Sequence, residues 1–515
     1  MHLQANSAHA SISQRIGLVL GPLLFLAVLA LDLDPANPSV TRMAAVAVLM
    51  ATWWITEAIP LAATALLPLI AYPLLGIMKT GEAAPVYVNS TIFLFIGGFM
   101  IALTMEKWKL HKRIALWIIR LIGGGPSRII LGFMIAAAFL SMWISNTATA
   151  IMMVPIGLAI VSQLEERFGV DESHSFTVAL MLGIAYACSI GGVATLVGTP
   201  PNLSFARIFE ISFPAAEPIA FGTWLLMALP VTLVMLGLIW VLLTQVFFRM
   251  PASLRVDRRI VDEEYEQLGR STFEERAVFV VFLLTAALWV FRTDLTIGFA
   301  TIPGWSRLLA NAGLIDDATV AIAMAMLLFL IPSRSPDAGF RTLAGVDVFG
   351  KIPWHIVLLF GGGFALAKGF QVTGLSAFVG AEFAGLAGTS PTLMVAAICG
   401  SITFLTELTS NTATTEMILP ILASVAVAMK TNPLVLMIPA TLSASCAFMM
   451  PVATPPNAII FGSGRIRIIE MARVGLVINL IGIAVISLLF LTLGTAVLQI
   501  DPGTLPDWAQ QIPLQ

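Results

Sequence analysis

The chain has 515 residues, 58% of them hydrophobic and only 11% charged, with a formal net charge of −2. An average soluble domain carries about 25% charged residues, and a mean hydropathy of +0.95 leaves too little polar surface to meet water, so lipid is the expected solvent. The same balance excludes the basic stripe of a nucleic-acid binder; Cys188, Cys399 and Cys446 lie far apart in apolar runs, and His2, His9, His111, His174 and His355 form no cluster, which argues against disulfides and a metal centre.

A run of about 20 apolar residues crosses a bilayer as a helix. Spans 1 to 4 are predicted near 15–31, 42–59, 60–77 and 89–106, with Pro60 softening the second boundary. The first has only Arg15 on its basic flank and many spans after it, so it reads as a retained helix rather than a signal peptide. The apolar stretch 127–163 follows, broken by Ser145-Asn146-Thr147-Ala148-Thr149. Spans 5 to 9 are predicted near 177–198, 222–247, 277–294, 317–332 and 354–372, with a charged surface loop or short helix at 249–276. A second broken stretch, 390–429, carries Ser410-Asn411-Thr412-Ala413-Thr414, and spans 10 and 11 lie near 434–451 and 474–499. The two broken stretches read as re-entrant hairpins.

With the N-terminus in the cytoplasm and spans alternating, twenty of the 27 basic residues fall inside and seven outside. This bias is the one membrane insertion imposes, and it puts the C-terminus outside. Three motifs recur in one order. Phe95–Phe99 matches Phe360–Phe364 and the first Ser-Asn-Thr-Ala-Thr matches the second, both at offset 265; Thr199-Pro200-Pro201-Asn202 matches Thr454-Pro455-Pro456-Asn457 at offset 255. Span 4 then runs inward and span 9 outward, so the repeats are expected to be inverted, as in many secondary transporters.

Ser, Asn and Thr each need a hydrogen-bond partner in hydrocarbon. At a hairpin tip they offer hydroxyls, an amide and the N-terminus of the returning helix, which attracts carboxylate. Paired prolines stop a helix and expose carbonyls suited to a hard cation. The glycine motifs at 97–99 and 362–364 read as close helix packing. Glu57, Glu106, Lys368, Glu407 and Glu416 are charges within spans. Glu106 and Lys368 are expected to snorkel, and Glu407 and Glu416 to be structural, with a proton or cation role as the less favoured reading.

These paired tips, paired Thr-Pro-Pro-Asn breaks and Trp53-Trp54-Ile55-Thr56-Glu57-Ala58-Ile59-Pro60 resemble the divalent anion:sodium symporter family over about 16–499. The resemblance implies an all-α polytopic membrane protein with 11 transmembrane helices and two re-entrant hairpins, a homodimer, and an elevator mechanism. It implies scaffold parts at 1–110 and 277–373, moving transport parts at 111–248 and 374–515, and a cytoplasmic loop at 249–276. Ser145, Asn146, Thr147, Ser410, Asn411 and Thr412 would bind substrate carboxylates with Thr199, Pro200, Thr454 and Pro455. One sodium ion would sit by Ser141, Ser145, Asn146 and Gly198, the other by Thr406, Ser410, Asn411 and Ala453. Ser141 and Thr406 lie four residues before their motifs at offset 265, one helical turn away.

The function expected is sodium-coupled uptake of a C4-dicarboxylate such as succinate, fumarate or malate across the plasma membrane. A citrate or sulfate symporter and an anion exchanger are the alternatives among carriers. A membrane-embedded enzyme is disfavoured, because no histidine or acid–histidine pair lies near either tip.

Overall fold

The structure, a computed structural model, describes residues 11–250, 259–298, 300–335, 342–383, 385 and 388–510. His2, His9 and three members of the charge count, Arg255, Arg258 and Arg341, lie outside the described residues. Parts of the expected 249–276 loop and of the terminal domain ranges do so as well.

In chain order the first half holds α1 (Ile12–Leu31), α2 (Pro38–Thr56), α3 (Leu67–Leu75), α4 (Ser90–Lys107) and α5 (Leu110–Ile122). Next come α6 (Pro126–Ser141), α7 (Asn146–Phe168), α8 (Val170–Val193), α9 (Pro200–Ser212) and α10 (Phe221–Val241). Then follow α11 (Arg259–Gln267), α12 (Phe273–Val290), a small antiparallel pair β1 (Leu295–Ile297) and β2 (Ala300–Ile302), and α13 (Asp317–Leu330). The second half holds α14 (Trp354–Thr373), α15 (Leu375–Phe383), α16 (Pro391–Thr406), α17 (Asn411–Ala428), α18 (Leu434–Ala444), α19 (Pro455–Gly462) and α20 (Ile468–Leu489).

Nine helices among the described residues are long and apolar enough to cross a membrane. They include α7 and α17, which the sequence reading placed in the broken stretches. Several expected spans come out shorter. The 60–77 span is split into Leu61–Thr64 and α3, with Pro68 at the start of the second piece. The 317–332 and 434–451 spans shrink to 14 and 11 helical residues. The 177–198 span instead runs 170–193, because the chain unwinds before Thr199. The expectation of an all-α chain needs one correction, the β1–β2 hairpin, where Leu295 pairs with Ile302.

The repeat is visible as geometry. Helices α6 and α16 each begin on proline and each run 16 residues, at offset 265. Helices α5 and α15 also start at offset 265, and each follows a residue in the left-handed region, Lys109 (φ 57°) and Gly374 (φ 78°). Neither helix was anticipated as an element. Helix α5 is amphipathic, with Leu110, Ala115, Leu116, Ile118 and Ile119 buried and Trp117 and Leu121 exposed. It carries Lys112, Arg113 and Arg120 towards α11 and the start of α12. Arg113 Nε and Nη2 donate to the two oxygens of Glu275 at 2.9 and 3.1 Å. Lys112 pairs with Glu264 and Arg120 with Asp262, each at 2.7 Å. The expected boundary at 110/111 therefore cuts the first turn of α5, whereas the one at 373/374 falls on the turn before α15.

The core centres on α8, whose apolar length is wholly buried, and on α18, every residue of which is buried. Close approach needs small residues here: a Cβ on Gly191 would overlap the Ala138 carbonyl of α6. The glycine run of α14 meets three different neighbours. A Cβ on Gly361 would overlap the Tyr87 ring, on Gly362 Ala65, and on Gly363 the Glu416 carboxyl. In α4, Gly97 is pressed against Ala321, but Gly98 has room for a side chain, with nothing nearer than 3.7 Å. The close-packing expectation thus fails at Gly98.

A left-handed non-glycine residue costs roughly 1–2 kcal/mol. Lys109→Gly should relieve that strain and raise the thermal midpoint in detergent by a few degrees. Gly374→Val should lower it by at least as much. Equal midpoints for all three proteins would contradict the left-handed turns before α5 and α15.

Candidate functional site

Four helices begin at one place. Helices α7 and α17 start at Asn146 and Asn411, directly after the capping residues Ser145 and Ser410. Helices α9 and α19 start at Pro200 and Pro455, directly after Thr199 and Thr454. All eight residues line one cavity of about 710 Å³, together with Thr147 and Thr412. Helices α7 and α17 present unpaired N–H groups there, whereas α9 and α19, which open on paired prolines, contribute only the positive end of their dipoles; together they attract anionic groups. The Ser145 hydroxyl accepts from Ala148 N at 3.2 Å and the Thr454 hydroxyl from Asn457 N at 3.4 Å. Ser410 and Thr199 make no such cap bond.

Behind each tip lies a group of oxygens. The Ser141 hydroxyl is 2.5 Å from Asn146 Oδ1 and 2.7 Å from the Cys188 carbonyl. The Thr406 hydroxyl is 2.6 Å from Asn411 Oδ1 and 2.9 Å from the Ala444 carbonyl. A hydroxyl has one proton to donate, so at each tip it serves only one of these two acceptors at a time. Ser141 and Thr406 are fully buried, one layer behind the cavity wall, while Gly198 and Ala453 are part of that wall. A Cβ at Gly192 would stand 2.7 Å from Asn146 Oδ1 and 2.9 Å from the Gly198 carbonyl. Two oxygens therefore face one small space that glycine leaves free. A set of neutral hard oxygens in a tight cradle fits an alkali cation. The second cradle is different, because Ala447 stands where Gly192 does in the first half. Its carbonyl accepts from Asn457 Nδ2 at 3.0 Å, as the Gly192 carbonyl accepts from Asn202 Nδ2 at 3.3 Å.

The asparagines of the Thr-Pro-Pro-Asn segments hold the breaks open. Asn202 Nδ2 also donates to the carbonyls of Val193 and Thr195 at 3.1 and 2.7 Å. Asn457 Nδ2 donates to that of Met450 at 3.1 Å. Carbonyls freed by unwinding are thereby paired inside the protein, as lipid requires.

The structure thus brings every expected substrate residue to one cavity, and it places Ser141 against Asn146 and Thr406 against Asn411, with Gly198 and Ala453 in the cavity lining. Sequence reasoning missed the opposite wall, formed by Phe95, Phe99 and Leu359, with Glu57 and His355 at one end. It also missed the carbonyls of Cys188 and Ala444, which any residue could supply and no motif can mark. Thr409 was missed as well. It lines the cavity next to Ser410, where the first half has Ile144, and so falls outside the repeated string.

The model for the sodium:sulfate symporter transmembrane region matches residues 18–500. The chain is 42% identical over 497 residues to the sodium-dependent dicarboxylate transporter SdcS of Staphylococcus saprophyticus, covering 95% of this chain and 93% of that one. The same identity and coverage hold for SdcS of Staphylococcus aureus. Among solved structures, the YdaH transporter of Alcanivorax borkumensis aligns with a TM-score of 0.53 at 12% identity, over 81% of this chain and 87% of that one. MtrF of Neisseria gonorrhoeae aligns at 0.52 and 11%, over 80% and 82%. At such identity the likeness concerns the fold alone.

Glu407 is explained by the second break. Its carboxyl accepts from the backbone N–H groups of Phe448, Met449 and Met450 at 2.6, 2.8 and 3.0 Å, and from Asn479 Nδ2 at 2.8 Å. Its counterpart Met142 has no acceptor side chain. There the Thr195 hydroxyl donates to the Met142 carbonyl at 2.5 Å instead. Glu407→Ala would orphan four donors, two of them buried, and should cost roughly 3–5 kcal/mol. Glu407→Gln keeps one acceptor oxygen and should cost less than half of that. Thermal melts in detergent measure both, and an alanine variant as stable as wild type would refute the role.

Proposed function

The chain belongs to the sodium:sulfate symporter family, also called the divalent anion:sodium symporters, and from that premise we propose that it takes up C4-dicarboxylates with sodium. It is a multi-pass membrane transporter and not an enzyme. The observation that carries the substrate reading is the meeting of four helix N-termini in one cavity, two from each half of the chain. A dicarboxylate such as succinate, fumarate or malate offers one carboxylate to each tip. Ser145, Asn146 and Thr147 take one, Ser410, Asn411 and Thr412 the other, and Thr199, Pro200, Thr454 and Pro455 close the sides. Relatives at 42% identity described as sodium-dependent dicarboxylate transporters support this choice over citrate or sulfate.

Sodium is the coupling ion in this reading. Ser141, Ser145, Asn146 and Gly198 hold one ion, and Thr406, Ser410, Asn411 and Ala453 the other. Asn146 and Asn411 lie between ion and substrate, so a filled cation site fixes the amide that meets the carboxylate. Binding of one then favours binding of the other, which is the linkage that symport needs.

We read the mechanism as an elevator in a homodimer of 11-span protomers with two re-entrant hairpins. Residues 1–110 and 277–373 are the scaffold, and 111–248 and 374–515 the moving parts. The cavity extends to Ser11, Ser13, Gln14, Glu57 and His355, the side that the Lys/Arg bias assigns to the cytoplasm. This conformation is accordingly taken as inward-open, with the C-terminus outside the plasma membrane.

Radiolabelled succinate uptake into proteoliposomes tests the proposal. An inward sodium gradient should accelerate uptake, and excess fumarate or malate should compete better than citrate or sulfate. Asn146→Ala and Asn411→Ala should each lower sodium-driven uptake at least tenfold, the scale set by losing a buried hydrogen bond to a charged group. Uptake indifferent to the gradient would refute the coupling, and dicarboxylate-insensitive uptake the substrate.

A further inference from the structure

Glu416 is a span carboxyl that the reading above leaves without work. It is fully buried on α17, as is Ser204 on α9. The Ser204 hydroxyl donates to Glu416 Oε1 at 2.5 Å, a bond between residues 212 apart in the chain. The other oxygen, Oε2, has no hydrogen-bond partner. It faces Gly363 of α14, where any Cβ would overlap it. The carboxyl is thus held on one side by a short hydrogen bond and stopped on the other by a helix that has no side chain at that point.

Its position along the helices gives this contact a meaning. Glu416 lies one turn beyond Thr412, four residues along α17, and Ser204 lies one turn beyond Pro200, four along α9. Thr412 and Pro200 are both cavity residues, and they come from opposite halves of the chain. The Ser204–Glu416 bond therefore ties the helix behind the second tip to the helix behind the first Thr-Pro-Pro-Asn break. A rigid helical turn transmits any change in that bond to the wall of the site.

We propose that the Ser204–Glu416 hydrogen bond sets the spacing between the two halves of the substrate site, and through it the preference for four-carbon over longer dicarboxylates. This rests on the dicarboxylate reading of the site. Glu416 is a positioning residue here, since it does not line the cavity. With the tie in place, the second tip and the first break keep one separation, and the two anion-attracting ends match one ligand length. Without it, α9 and α17 can settle apart. A longer ligand is then tolerated and the shorter one is gripped less well.

The measurement is the ratio of succinate to glutarate uptake, at saturating sodium, in proteoliposomes of wild type, Ser204→Ala, Ser204→Cys and Glu416→Gln. A change that merely weakens the fold lowers both rates and leaves their ratio in place. Wild type should prefer succinate, and Glu416→Gln, which keeps an acceptor oxygen at the same reach, should hold that ratio within about twofold. Ser204→Ala should shrink it about tenfold, as expected for the loss of one buried hydrogen bond. Ser204→Cys, similar in size with a weaker donor, should fall between and serves if the alanine variant does not fold. An unchanged ratio in Ser204→Ala, or in Ser204→Cys where that variant stands in, would overturn the inference, as would a Glu416→Gln ratio as low as that of Ser204→Ala. A wild type that carries neither acid would instead overturn the dicarboxylate reading itself, and this shows before any variant is compared.

Discussion

In hydrocarbon every backbone N–H and C=O must find a partner within the protein. This chain breaks helices at 142–145, 194–199, 407–410 and 445–454, so it exposes the groups that lipid forbids. The repairs are local and specific. Asn202 and Asn457 cover carbonyls left by the unwound ends of α8 and the segment after α18. At the junction of tip and break the two halves use opposite chemistry. In the first, a hydroxyl of the break donates to a tip carbonyl; in the second, a tip carboxylate accepts from the amides of the break. The junction is satisfied in both halves, although one uses an acidic side chain and the other a hydroxyl.

What the repairs leave unpaired is what the site can use. Each break ends where a helix begins, and the first amides of that helix have no partner inside it. Four helix starts are gathered on one cavity: α7 and α17 bring free amides, α9 and α19 only their dipoles, and Ser145 and Thr454 cap one start in each half. The proposed cation sets draw on the same breaks: Gly198 and Ala453 line the cavity where the chain is no longer helical. A protein of this composition reaches a polar site without burying a cluster of charges, which would cost several kcal/mol per ion.

Much of this was legible because it depends on residue type at fixed spacing. A Ser before Asn-Thr, paired prolines, and a hydroxyl one turn before each motif are all written along the chain, and the repeat at offset 265 made chance an implausible source. The span boundaries were less legible. Hydropathy sees apolar length but not where hydrogen bonding stops, so the 434–451 run was read as a full span although its helix ends at Ala444. Helices α5 and α15 went unread as well. They are short, and the basic residues of α5 find their partners elsewhere, at Glu264, Glu275 and Asp262.

The sequence by itself determined the solvent, the duplicated half-sites and the residue types that could form them, since composition and spacing are properties of one dimension. The motif Ser-Asn-Thr-Ala-Thr, seen twice, already marked two breaks in apolar stretches, each of which proves to be a helix start. Only the tertiary structure decided that both tips and both proline breaks share one cavity, and that the carbonyls of Cys188 and Ala444 stand beside Ser141 and Thr406. It alone put the Glu416 carboxyl between Ser204 and Gly363. The reason is physical: these are contacts across space between segments from about forty to more than two hundred residues apart, fixed by how α8, α9, α14 and α17 pack. No local pattern records which side chain a helix will meet on its far face.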